Sequence, residues 1–399
     1  MRTITETNKI NVAYEYDVCV CGGGFAGVAA ALAAKRSGAK TCLIEKSFIL
    51  GGLGTSGLIT IYLPLCDGCG NQVSFGLAEE LLKLSVEHGV EARYPKAWFE
   101  NGSFEEKKNG TRYEVQFNAN LCAISMEQLL IKEGVDIFYG TQVCNVNKTG
   151  DKISEIIIEN KSGRQAVAVK SVVDATGDAD ICYFAGEETE LFEQKNVLAA
   201  WHYYYKDGDI HLQQLGAADI PDEHKTEERK GATPLVSQRF TGLDGEELSK
   251  MTQLSHEFIL KSILEKRETE NDETIVPTMI PTIPQIRMTR KICGVYTMTE
   301  ADDHKDLPDS VGMFSDWKKR GPSYQLSYGS LYGKRVKNLI TAGRCISSDQ
   351  TLWDVTRVIP VCSVTGEAAG TAAALTDDFS SLDIKKLQNE LIRKGVRIR

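Results

Sequence analysis

The 399-residue sequence has no uninterrupted apolar run long enough to cross a bilayer. Its opening residues, MRTITETNKINVAYEY, lack the apolar centre of a secretory leader. It has no excess of basic residues: the net charge is −9, which argues against nucleic acid or an anionic membrane surface as the main partner. Histidine is scarce, at six residues, and Cys66–Cys69 has no second Cys-x-x-Cys to complete a four-ligand zinc site, so no metal is expected. Eleven cysteines are present. Cys19, Cys21 and Cys42 sit inside apolar stretches, where a free thiol behaves as a small hydrophobe. Taken as reduced thiols, they point to the cytoplasm. The apolar share of 42% and charged share of 25% are those of a globular enzyme.

The chain is organised around YDVCVCGGGFAGVAAALAAKRSGAKTCLIEK at 16–46. Residues 16–21 predict a buried strand and 26–36 an alanine-rich helix, with Gly38 as its C-terminal glycine. A second strand follows at 40–45. Gly22, Gly24 and Gly27 between strand and helix form G-x-G-x-x-G. Gly22 permits the tight turn, Gly24 lets backbone approach a pyrophosphate, and Gly27 lets helix and strand pack closely. The helix start, with Phe25 and Ala26, offers free N–H groups to phosphates. Glu45, 23 positions after Gly22, is placed to accept ribose hydroxyls, with Lys46 beside it. Residues 52–57 repeat the motif, but no strand precedes them. There Gly52 and Thr55 are expected to lie along the same cofactor, Thr55 as a hydroxyl donor.

Further along, residues 75–88 and 118–133 predict helices. The polar stretch between them carries a basic-acidic hairpin. Strands are expected at 135–139 and 142–147, with Val143 near the cofactor, and a hairpin at 153–170. A buried strand then runs into a turn of Ala175, Thr176 and Gly177, where small residues let a cofactor pass; Asp178 and Asp180 are candidate caps for the next helix. From 188 the βα alternation stops. This part holds an aromatic cluster (201–205), a charged stretch (221–230), a long amphipathic helix (245–266) and a proline-rich strand region (275–287). Near 334 the first pattern resumes with a strand, Gly343 and Arg344, and a small-residue helix that includes Gly366. The expected fold is α/β: a Rossmann-like domain, parallel sheet with β-meander, formed by 1–187 and 334–399, and a smaller mixed α+β cap or substrate domain at 188–333.

Four segments carry a family resemblance: 18–46, VVDATGDADICYFAG at 172–186, IRMTRKICGVYTMTEAD at 286–302, and NLITAGRCISSD through RVIPVCSVTGEAAGTAAA at 338–374. The sequence resembles bacterial single-chain FAD-dependent oxidoreductases of the glutathione-reductase-like flavoprotein superfamily. The resemblance implies one FAD bound in extended form; it is expected to be held non-covalently, because no His, Cys or Tyr is placed unambiguously beside the flavin. Its ADP half would lie at the first glycine motif, and its flavin would be framed by the 175–177 turn and the C-terminal helix, whose N-terminus would aim at the N1–C2=O edge. The resemblance says little about the substrate, because this superfamily hosts many reactions on one fold. The activity expected here is hydride transfer between a small polar substrate and flavin N5, with an unnamed electron acceptor, and a homo-oligomer is compatible with it. The rival expectations are a flavin disulfide reductase using Cys66 and Cys69, and an electron-transfer or redox-sensing flavoprotein.

Candidate catalytic groups follow from chemistry. Arg287 and Arg290 flank Thr289, and one guanidinium of the two could clamp a carboxylate or form a structural ion pair. His202, among aromatics, is the best-placed general base or else a packed histidine. Tyr328 and Tyr332, four positions apart before the strand near 336, line the pocket or simply pack there. Arg357, before the last long helix, needs an acid such as Asp354 or a ligand, because an unpaired buried cation is costly. Cys66 and Cys69 stand as free thiols in a substrate-facing loop, as a redox dithiol, or with Cys66 alone touching substrate or flavin.

Overall fold

The computed structural model describes residues 2–216 and 234–399. Its centre is a seven-stranded sheet. Strand Val12–Cys21 lies between Thr41–Ile44 and Gly163–Asp174, parallel to both, and Thr41–Ile44 pairs in parallel with Asp136–Phe138. Strand Gly163–Asp174 changes partners along its length. Residues 163–168 pair antiparallel with Lys152–Asn160, which pairs in turn with Gln142–Thr149; residues 172–174 pair in parallel with Leu339–Thr341. This is an α/β fold with a parallel core and a meander, and its sheet joins the first half of the chain to the last quarter. Val18 to Cys21 and Val172 to Val173 are fully buried, which is why these strands read as unbroken apolar runs.

Helices Phe25–Arg36 and Ile359–Leu375 pack on this sheet almost backbone to backbone. A Cβ on Gly366 would stand 2.2 Å from the carbonyl oxygen of Ala26, and one on Gly370 would stand 2.0 Å from that of Ala30. The pairing 26 with 366 and 30 with 370 makes the two helices parallel. Ile359 therefore lies about 10 Å beyond the level of Ala26, at 1.5 Å per residue.

The middle of the chain is mixed. Strands His202–Lys206, Asp209–Gln213 and Val276–Met279 form an antiparallel sheet. Helix Gly245–Glu270, capped by the Asp244 side chain, buries Met251, Ser255, Ile259 and Ile263 at helical spacing. The charged stretch 221–230 falls outside the described residues. Residues 280–287 form a loop rather than strand, consistent with Pro281 and Pro284. In place of a hairpin near 105–110 stands helix Phe104–Asn109, closed by a reciprocal Ser103–Glu106 capping box. Helix Gln350–Thr356, capped by Asp349, is too short for the apolar pattern to announce. Among the described residues no single helix is long and apolar enough to cross a membrane.

Candidate active site

Parallel strands bring their C-terminal ends to one edge of the sheet, so the loops that follow them meet there. These loops line a cleft of about 260 Å³: residues 22–26, 44–47, 175–178 and 342–344, joined by 51–54 and 141–143. Arg357, Ile359 and Cys362 close its far end, and Leu248, Ile283, Pro284 and Ile286 cover it from the middle of the chain.

The glycines of the first motif serve different ends. Gly22 has φ +106°, and a Cβ there would lie 2.4 Å from Ala175 O. A Cβ on Gly27 would lie 1.8 Å from Gly22 O. Around Gly24 there is no heavy atom within 4 Å of the Cβ position, and its backbone (φ −69°, ψ 178°) suits any residue. No neighbour within the protein demands a glycine there. The helix start beside it has spare N–H groups, so the space fits a phosphate-bearing cofactor lying across that terminus.

Glu45 is buried and holds this loop. Its Oε2 accepts the Gly23 N–H at 2.7 Å, and Oε1 accepts the Ser47 N–H at 2.8 Å and the Ser47 hydroxyl. A carboxylate has about four acceptor sites, so a ribose hydroxyl can still be accommodated. On the facing loop the fully buried Asp174 accepts Thr176 through one oxygen and the N–H groups of Ile181 and Cys182 through the other. Asp174, rather than Asp178 or Asp180, thus caps helix Asp180–Ala185. Asp178 accepts Thr289 Oγ1 at 2.7 Å and Arg344 Nη2 at 2.6 Å, and Arg344 also reaches the carbonyls of Gly177 and Ile286. Burial, with Asp178 and Asp174 nearby, pushes the Asp180 carboxyl up to about 6, against the pull of Arg290 and Lys46.

Of the expected cofactor residues, Gly22, Gly24, Phe25, Ala26, Glu45, Lys46, Gly52, Val143, Ala175, Thr176, Gly177, Gly343 and Arg344 line the cleft. Three do not. Gly27 and Gly366 are packing glycines, and the buried Thr55 hydroxyl donates to Leu50 O, which leaves it no proton for a cofactor. Gly23, Ser47, Asp178, Asp180, Ile359 and Cys362 join the walls, signalled in sequence only by adjacency to the motifs.

The expected catalytic residues divide more sharply. Arg357 lines the cleft and bonds Asp354. Arg290 does not line it: its guanidinium pairs with Asp180 at 2.7 Å, donates to Asp178 O and lies 4.4 Å over the Tyr183 ring. Arg287 is also absent from the walls, its backbone N–H donating to Asn196 Oδ1. Tyr328 is buried, its hydroxyl donating to Phe379 O at 3.0 Å and its ring against Tyr332. His202 is fully buried away from the cleft, with Nδ1 3.0 Å from Ala200 O; burial lowers its pKa, so the ring is neutral near pH 7. Among the described residues no group of three or more His, Cys, Asp or Glu side chains is placed to hold a metal ion.

The family model for FAD dependent oxidoreductases matches residues 17–198 and 226–391. The chain belongs to that family, and FAD is its cofactor. It is similar to the tRNA uridine 5-carboxymethylaminomethyl modification enzyme MnmG 1 of Fusobacterium nucleatum subsp. nucleatum, 31% identical over 202 residues that cover 45% of this chain and 30% of that enzyme. It is also similar to the thioredoxin reductase of Ureaplasma parvum serovar 3, 35% identical over 71 residues that cover 18% of this chain and 23% of the reductase. The chain thus spans less than a third of the length of either relative. Among solved structures, a geranylgeranyl bacteriochlorophyll reductase-like protein of Thermoplasma acidophilum aligns over 96% of this chain and 84% of its own, at 15% identity and a TM-score of 0.46.

Proposed function

We propose that the protein transfers a hydride between a small polar substrate and the N5 of a non-covalently held FAD. The observation that carries this is the open face of Gly24, continuous with a cleft that reaches Ile359 and Cys362. Residues 22–26 and Glu45 would hold the ADP half; the 175–177 and 342–344 turns would flank the middle. The first turn of helix Ile359–Leu375 would face the flavin end. A bound flavin supplies the two-electron acceptor that no side chain here provides.

The chain's own part is binding, orientation and exclusion of water. Ile283, Pro284, Ile286 and Leu248 wall the cleft with apolar surface. Arg344, held by Gly177 O, Ile286 O and Asp178, ties this wall to the cofactor turns. Cys21 and Cys362 both line the cleft wall. The hydrogen bond with Cys19 and burial raise the Cys21 thiol well above its ordinary value; Cys362 lies at the end proposed for the flavin. Burial pushes it up to about 12, so little thiolate exists for covalent attachment.

The purified protein is expected to be yellow and to release FAD into the supernatant on acid precipitation. Anaerobic addition of hydroxy acids, alcohols, amines or sugars should bleach the flavin for at least one class. A protein that takes up no FAD, or a flavin that no member of the panel reduces, would count against the proposal.

A further inference from the structure

The far end of the cleft holds a cation without enough negative charge to match it. Arg357 lines the cleft, yet its side chain is only 14% exposed. Its partner is Asp354, at 5% exposure. Both bonds from Arg357, through Nε at 2.8 Å and through Nη2, go to the same oxygen, Oδ1. The other oxygen, Oδ2, is taken by Lys318, itself only 13% exposed and lying over the Trp317 ring. Asp354 therefore answers two cations at once. The neighbouring charges do not alter the balance. Asp316 spends its carboxylate on the backbone N–H groups of Lys318 and Lys319, and Arg112 donates to Trp317 O, Asp316 O and Cys66 O. Arg357 and Lys318 thus share the single negative charge of Asp354, and of these three groups Arg357 lines the cleft.

Geometry says which part of Arg357 is left. A guanidinium carries five N–H donors, and two are used. The Nη1 group and the second N–H of Nη2 form the remaining edge, and no described residue accepts from it. Two parallel donors on one edge match the two oxygens of a carboxylate. No Arg357 nitrogen is both sealed from solvent and without a partner, so this edge opens on the cleft, where solvent or a ligand can accept from it. Leu53, Ile283, Ile286 and Ile359 supply apolar wall in the same cleft. The acids elsewhere in the cleft are already engaged: Glu45 by Gly23 and Ser47, Asp178 by Thr289 and Arg344, Asp180 by Arg290.

We propose that Arg357, set in place by Asp354 and Lys318, is a carboxylate subsite, and that the substrate is a small acid with an apolar portion. This rests on the functional proposal above, since it takes the substrate to enter the cofactor's cleft. Arg357 is the binding residue; Asp354 and Lys318 are positioning residues that act through it. Cations shared across Asp354 also hold its carboxyl down to about 2 although burial opposes them, so it stays charged through the working pH range.

The test is calorimetry on the FAD-loaded full chain at fixed ionic strength, with benzoate and its neutral isostere benzamide as probes. FAD content is read first from absorbance, so a failure of the functional proposal is seen before and apart from any result with the probes. Benzoate is expected to bind at least tenfold more tightly than benzamide. Arg357→Met should abolish that preference and Arg357→Lys should keep part of it. Lys318→Met, which touches no ligand, should weaken benzoate several-fold, because Asp354 then neutralises Arg357 alone, while leaving benzamide unchanged. Circular dichroism verifies the fold of each variant, and Lys318→Met decides the matter if Arg357→Met does not fold. Equal affinity for the two probes, or a benzoate preference that survives Arg357→Met, overturns the proposal. So does an Arg357→Met variant that binds benzoate normally and shifts only the flavin midpoint potential, since the guanidinium would then serve the cofactor.

Discussion

Gly24 and Gly27 stand three residues apart in opposite surroundings. At Gly27 the obstacle is the protein, since a methyl group would collide with Gly22 O at 1.8 Å. At Gly24 the Cβ position is open, and a side chain there meets only what occupies the cleft. Gly24→Ala should therefore keep the parent's urea midpoint while weakening FAD binding roughly tenfold, about 1.4 kcal/mol, and Gly24→Val should abolish FAD uptake in a folded protein. Gly27→Ala should instead lower stability by about 3 kcal/mol through overpacking. Chemical denaturation and FAD titration of the three variants separate these outcomes; a Gly24→Val protein with full FAD occupancy would refute the assignment. Residues of this kind were legible because the motif is local: turn, helix start and acid lie within 24 residues of one another. Arg290, Tyr328 and Thr55 were not. Their roles depend on Asp180, 110 residues away, on Phe379, 51 residues away, and on a loop carbonyl whose position only the folded backbone defines.

Helix Leu77–Ser85 begins with no cap of its own. Its N-cap is Gly76, at φ +64°, and the N–H of Leu77 is accepted instead by Glu367 Oε2, 2.7 Å away on helix Ile359–Leu375. A Cβ on Gly76 would stand 2.4 Å from that oxygen, so the glycine admits a cap from a distant element. Burial pushes Glu367 up to about 7; the Leu77 N–H, Lys394 and Arg36 pull it down and Glu80 adds to the rise. The unfolded chain loses this proton near the ordinary value of 4.5. Between the two values the folded state binds the extra proton, so its stabilising contribution is complete below about pH 4.5 and lost as the pH rises to about 7. Glu367→Gln, whose amide oxygen can still accept from Leu77, removes that dependence. Relative to the parent it should gain about 3 kcal/mol between pH 4.5 and pH 8, measured as the difference between their denaturation curves. A pH-independent difference would show that Glu367 does not titrate with folding. Elements were legible in proportion to their length and period. The alanine-rich helix and the paired strands declared themselves, whereas Gln350–Thr356 spans only seven residues, and the cap on Leu77–Ser85 comes from 290 positions further along.

At the scale of the molecule, the described residues separate the cleft edge of the sheet from a packed core, and Cys66 of the Cys-x-x-Cys loop lies in the core. Cys66 is fully buried in the main apolar cluster, with its sulfur accepting the Tyr113 N–H at 3.3 Å and its carbonyl accepting Arg112 and Ser315. The turn that carries Cys69 is fixed by Asp67, whose carboxylate accepts the N–H of Cys69 and of Asn71. Neither cysteine lines the cleft. A dithiol relay needs one thiol against the flavin and the other open to an incoming disulfide, and a sealed Cys66 meets neither demand. Cys66→Ser/Cys69→Ser is therefore expected to hold FAD and to be reduced by the true substrate within about tenfold of the parent rate, about 1.4 kcal/mol of barrier. It should lose about 1–2 kcal/mol of stability, because the new hydroxyl at position 66 is buried in apolar surroundings. Stopped-flow reduction and denaturation measure the two effects independently. A long-wavelength charge-transfer band in the two-electron-reduced parent, absent from the double variant together with its turnover, would place the loop beside the flavin and make thiol–disulfide exchange the reaction.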